Sequence, residues 1–289
     1  MIGGHFIFFM RQILIIWLLL YPVLLTVKAE SIDKMEKNLQ SLYGNLYHAP
    51  TDSLRNLFND SIRLQLKKAL SEPTSFKYAF DSLPFLGKIY STDHALRIYS
   101  WNYISEAGEY RFFSFIQRQV DNKILTLIQN RVPYLPDDKI LIENRDWYGA
   151  LYYQAIPYLY QKQIYYLLLG WSHYTSAVNF KIIDILSIHD DKIVFGLPVF
   201  YRATEYFSRV VLPYSSRYSL SLQYDFNRKL LYFNHLNVIQ NSDVQFPDET
   251  FSAYLFTKNG LKYQEEITLQ SDQHEEKQAR TKLELGPEK

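Results

Sequence analysis

The chain has no cysteine, and that one absence removes disulfides, thiolate nucleophiles, Cys-ligated zinc and a lipid-bearing lipoprotein cysteine together. Glycine is scarce, 10 residues in 289, so little backbone is free to cradle a phosphate, and neither the P-loop nor the G-x-G-x-x-G pattern occurs. No G-x-S-x-G elbow, no H-E-x-x-H and no calcium-loop pattern is present either. Charge of one sign is also missing, because 31 Lys+Arg balance 30 Asp+Glu. A chain this close to neutral has no general attraction for nucleic acid or for an anionic membrane, so neither is expected as a partner. Nothing in these patterns calls for a cofactor or a metal.

A long apolar run occurs once, at the start. Arg11 is followed by Ile13, Leu14, Ile15, Ile16, Trp17, Leu18, Leu19 and Leu20, continued by Val23, Leu24 and Leu25, and Val27-Lys28-Ala29 ends it in a V-x-A site. A positive charge, an apolar core of roughly 7 to 15 residues and a small-residue site are the three parts of a secretory signal. Residues 1–29 are therefore expected to be a signal peptide cleaved before Glu30, leaving no integral membrane span. The alternative is an N-terminal single-pass anchor, since Phe6 to Val27 approaches the roughly 20 apolar residues a span needs. Losing Arg11 and Lys28 leaves 29 basic against 30 acidic residues, a net of −1. Export without disulfides fits a Gram-negative periplasm or outer surface. The sequon Asn59-Asp60-Ser61 would matter only in a eukaryote.

What the chain has in abundance is aromatic side chains, 17% of the sequence, with 25 tyrosines. That composition favours strands. Only residues 30–80 read as helical. Met35, Leu39, Leu42, Tyr43, Leu46 and Tyr47 recur at three- and four-residue steps, and a second helix with Thr51 or Asp52 as N-cap carries Leu54, Leu57, Phe58, Ile62, Leu66, Ala69 and Leu70 before Pro73 stops it. From Gly87 the period becomes two, and short runs meet at compact turns such as Thr92-Asp93-His94, Glu106-Ala107-Gly108, His189-Asp190-Asp191 and Asn259-Gly260. Tyr218 to Phe226 alternates apolar with polar, while Tyr165 to Leu169 is apolar throughout and predicts a strand covered on both faces. The expected architecture is mainly β, an antiparallel meander of about a dozen strands over 87–270, arranged as propeller-like blades, a sandwich or a barrel behind an N-terminal helical hairpin. Residues 271–289 lose their aromatics and carry mostly charge, the composition of a disordered tail.

The densest group with binding chemistry is Glu143, Asp146, Trp147 and Tyr148. A carboxylate beside aromatic rings suits a sugar, whose C–H patches sit on a ring face while hydroxyls bond the acid. The plainer reading is that Trp147 starts a strand and fills a core. His189-Asp190-Asp191 and Asp93-His94 offer donors suited to a cation but read first as polar turns. His173 and His235 read as structural. Tyr99, Trp101 and Tyr103 share one face of a strand, as a binding platform or as core.

The run from Ser91 to Trp101, with Asp93 in the turn and Arg97-Ile98-Tyr99-Ser100-Trp101 in the strand, followed by Gly108 and Phe112 to Gln117, resembles exported proteins of unknown function from Bacteroidetes-type bacteria. His94 departs from that pattern, where a small turn residue is usual. The resemblance implies export and supplies no catalytic residue. Two functions fit: an exported, non-enzymatic binding or envelope-interaction protein whose partner is a glycan or an envelope protein, or an exported hydrolase acting on glycan through an acid/base carboxylate pair such as Glu143 and Asp146.

Overall fold

The computed structural model of the chain describes residues 31–131, 133–238 and 244–268. The expected signal peptide and charged tail lie outside them. Two helices come first. Helix α1 (Ile32–His48) is capped by Ser31, whose hydroxyl accepts from Lys34 N at 3.4 Å, and α2 (Asp52–Leu70) by Thr51, whose hydroxyl accepts from Leu54 N at 3.4 Å. Met35, Leu39, Tyr43 and Leu46 of α1 are buried, as are Ile62, Leu66, Ala69 and Leu70 of α2. The first turns of α2 depart from the predicted stripe: Leu57 is 59% exposed and the buried position is Asn59. Asn59 is held there because its Oδ1 accepts from the Trp101 indole at 2.9 Å.

Sixteen strands follow among the described residues. The first sheet is the meander β1 (Gly87–Tyr90), β2 (Leu96–Ile104), β3 (Tyr110–Arg118) and β4 (Ile124–Leu127). The second contains β5 (Ile142–Glu143), β6 (Leu151–Tyr160), β7 (Gln163–Thr175), β8 (Val178–His189) and β9 (Lys192–Phe195) in the order β5-β9-β8-β7-β6. The third contains β10 (Phe200–Arg202), β11 (Glu205–Phe207), β13 (Leu222–Asp225), β14 (Leu230–Val238), β15 (Gln245–Thr257) and β16 (Gly260–Ile267) in the order β11-β10-β16-β15-β14-β13, while β12 (Arg209–Ser215) joins the second sheet along β8. Each sheet holds one run of four consecutive antiparallel strands, and all three are open rather than closed into a barrel. Among the described residues no helix is long and apolar enough to cross a membrane.

The layers stack as helices, first sheet, second sheet, third sheet, and strand alternation explains why. On β2, Tyr99, Trp101 and Tyr103 pack with the helices, whereas Leu96 and Ile98 pack with the second sheet. On β7, Leu168 joins the core shared with the first sheet, and Leu167 and Leu169 join the core shared with the third. The apolar run from Tyr165 to Leu169 therefore marks a strand covered on both faces, as expected. Burying each such side chain contributes on the order of 2 kcal/mol.

Two turn and strand expectations shift. The β15–β16 turn is centred on Lys258-Asn259, and Gly260 already pairs with Thr257. Gly260 is required for another reason: at φ +132, a Cβ would lie 2.3 Å from the Val199 carbonyl oxygen, which accepts from Leu261 N at 2.7 Å. The alternating run from Tyr218 is strand only at Leu222–Asp225, because Tyr218 N bonds Ser215 O and closes a turn instead.

Candidate functional site

The structure separates the four residues expected to form a binding surface. Trp147 is 1% exposed and Tyr148 is fully buried, both in the core between the first two sheets. Their polar atoms are turned inward: the Trp147 indole donates to Tyr152 Oη at 2.8 Å, and the Tyr148 and Tyr152 hydroxyls are 3.0 Å apart. Burial pushes the Tyr148 hydroxyl well above the usual tyrosine range. Rings sealed in this way offer no face to a sugar, so the expected surface grouping is corrected for these two. Glu143 and Asp146 remain exposed, each in an ion pair, with Lys192 at 3.1 Å and Arg131 at 3.0 Å.

The other sequence candidates are accounted for by packing. Asp190 and Asp191 form the β8–β9 turn, which Arg118 and Lys123 of the neighbouring β3–β4 turn hold by a hydrogen bond to the Asp190 carbonyl and an ion pair to Asp191. Asp93 Oδ1 accepts from Ser91 Oγ at 2.5 Å and Ala95 N at 3.2 Å, which locks the β1–β2 turn. His94 occupies the left-handed region at φ +57, where a small residue would sit more easily. Among the described residues no group of three His, Asp or Glu side chains converges as a metal site. Tyr99, Trp101 and Tyr103 lie under the helices, with their polar atoms bonded to Gln117, Asn59 and Asn56.

Two clefts remain. One, of about 230 Å³, lies where β4 leaves the first sheet, between Arg63 of α2 and the rings of Phe113 and Phe115. Arg63 pairs with Asp60 at 3.1 Å. The other, of about 290 Å³, lies at one end of the molecule between the β2–β3 and β7–β8 turns, with Pro133 closing a side. It brings together Glu109, Tyr110, His173 and Tyr174, with the hydroxyls of Thr175 and Ser176.

This end groove is built from rigid parts. Gly108, at φ +79, lets the β2–β3 turn close, with Gly108 N bonding Ser105 O at 2.9 Å and Glu109 N bonding Ser105 Oγ at 3.0 Å. Across the groove, Ser216 holds the β7–β8 turn through Ser176 O and Ala177 O, each at 2.8 Å. The Tyr110 and His173 rings lie 4.3 Å apart at 31°, and Tyr110 also meets Trp171 edge-on at 5.8 Å. Tyr174 is 41% exposed. Glu109 is bonded by Arg111 at 2.7 Å. Of the polar and aromatic side chains that line the groove only His173 is singled out in the sequence, and there as structural. The turn at Glu106-Ala107-Gly108 is legible, but nothing local shows that it faces the β7–β8 turn, which comes some seventy residues later.

Comparison with family models, with curated proteins and with solved structures finds no match. The functional reading therefore rests on geometry.

Proposed function

We propose that the chain is an exported, non-enzymatic binding protein of the bacterial envelope, and that the end groove holds a saccharide. One arrangement carries this reading: the exposed Tyr174 and half-buried Tyr110 rings border a space whose other walls are a carboxylate, an imidazole and two hydroxyls. A sugar has an apolar C–H face for the rings and a rim of hydroxyls for the polar groups. At about 290 Å³ the groove is at the small end of ligand sites, which run from roughly 300 to 1,000 Å³. It suits one sugar ring of a longer chain. The export signal of residues 1–29 and the near-neutral charge agree with an envelope partner of this kind.

Binding is favoured over hydrolysis by the carboxylates. A glycosidase needs two, set about 5 Å or about 6.5 to 9.5 Å apart. The described lining of the groove offers Glu109, already bonded by Arg111, and Glu143 and Asp146 line neither cleft. A glycan array probed with the full chain tests the reading. A bound glycan is expected, and Tyr174→Ala should weaken it by about 1 kcal/mol, roughly five-fold, without lowering the melting temperature. An array with no bound glycan, or full affinity in Tyr174→Ala, would remove the groove as the site.

A further inference from the structure

We infer that the groove reads its ligand through Nε2 of His173 acting as a hydrogen-bond acceptor, so that it selects neutral, hydroxyl-donating saccharides over acidic ones. The inference rests on the saccharide reading of this groove. His173 on β7 lies directly opposite Asn179 on β8, which lies directly opposite Tyr214 on β12. Directly paired positions place their side chains on one face with Cβ atoms about 5 Å apart, so the three can bond in series.

The order of bonding fixes the tautomer. Asn179 Oδ1 lies 2.9 Å from His173 Nδ1. A carboxamide oxygen only accepts, so Nδ1 carries the ring proton. On its other side Asn179 faces the paired Tyr214, whose hydroxyl pKa is raised by burial and eased downward by the Trp171 and Asn179 side chains. With the proton of a neutral imidazole on Nδ1, Nε2 is left as a lone pair. It has no intramolecular hydrogen bond among the described residues, and the Tyr110 ring packs against the imidazole at 31°.

Such a lone pair accepts from a hydroxyl or an amide N–H. An acidic sugar would instead bring a carboxylate or sulfate against that lone pair. Arg111 does not offset this, because its guanidinium is already bonded to Glu109 at 2.7 Å. Asn179 is thus a positioning residue, acting on the ligand through His173.

Two measurements on the full chain test this. The first is the ¹⁵N shift pattern of the His173 ring at pH 8, above the range in which imidazoles take up a proton. The Nδ1–H tautomer is expected in the wild type, an increased share of Nε2–H in Asn179→Ala, and restoration in Asn179→Asp, which keeps an acceptor oxygen at the same place. The second is binding at pH 8 to neutral hexaoses of glucose, mannose, xylose and N-acetylglucosamine, set against oligogalacturonate and sulfated oligosaccharides. Neutral ligands should bind at least ten-fold more tightly, and Asn179→Ala should reduce that affinity about five-fold while Asn179→Asp keeps it. An Nε2–H tautomer in the wild type, or preference for the acidic probes, would overturn this inference and leave the saccharide reading standing. Binding to none of the probes would overturn both.

Discussion

Two arginines are buried in different layers, and they are kept charged by different means. Arg209, in the second sheet, is fully buried and donates through Nε to Asp184 Oδ2 at 2.9 Å, with Asp184 fully buried as well. Its other nitrogens reach the carbonyls of Asp137, Ile140 and Phe195, tying the connector before β5 to the sheet. Gly196, at φ +100, makes room for it, since a Cβ would lie 2.8 Å from Nη2. Arg97, in the first sheet, is 2% exposed and bonds no carboxylate among the described residues. Its Nη1 donates to the carbonyls of Ser75, Phe76 and Tyr78 at 3.3, 2.9 and 2.6 Å, its Nη2 to Ala79 O at 3.3 Å, and its guanidinium lies 4.6 Å from the Tyr90 ring centroid and 5.0 Å from that of Tyr99. One cation is neutralised by a counter-ion and the other is solvated by backbone dipoles and ring faces. Both fasten an irregular connector to a sheet, so a buried charge here marks where the chain between layers is tied down.

The largest effect is expected at the ion pair. Arg209→Ala leaves Asp184 buried without its partner and should cost about 4 kcal/mol in denaturant unfolding. The double change Arg209→Met with Asp184→Leu removes both charges and should recover about 2 kcal/mol of that loss, because the penalty belongs to the orphaned carboxylate. Arg97→Met should cost about 2 kcal/mol, since it strands carbonyls and no charge. If Arg97→Met costs as much as Arg209→Ala, the distinction between the two modes fails.

Acid sharpens the contrast by a smaller amount. Burial raises the Asp184 carboxyl above the usual carboxylate range even beside Arg209, and losing Arg209 raises it further. A carboxyl whose pKa is higher folded than unfolded binds more protons in the folded state, so its contribution improves as pH falls towards the unfolded value. The cost of Arg209→Ala should therefore shrink as pH is lowered from 7 towards 4, by at most about 1.4 kcal/mol per pH unit for one group. The cost of Arg97→Met, with no carboxylate bonded to it, should stay flat across the same range. Parallel unfolding curves at pH 7, 6, 5 and 4 would show the difference, and equal slopes would remove it.

Much of the local structure is written in short stretches of the chain. Thr51 caps α2 as its hydroxyl and position require, and the Asp93 and Asp190-Asp191 turns fall where polar residues interrupt apolar runs. Strand β9 stops short of Gly196, because Phe195 completes one sheet and Phe200 begins another. Nothing local marks Arg209–Ser215 as a strand, since its pairing with β8 depends on a partner twenty-five or more residues away. The site was less legible than the fold. Trp147 and Tyr148 look like a surface group beside two acids, and only the packing of two sheets shows their rings to be enclosed.

What the chain determined alone is what neighbours in sequence can decide: capped helices, a period-two β region, chemistry without thiols and a near-zero charge. The tertiary structure decided which face of each strand meets which layer, which arginine receives a counter-ion, and which two turns close on one groove. Those are contacts across tens of residues, where the same aromatic alternation serves equally well as core or as binding surface, and only the layer placed against it chooses between them.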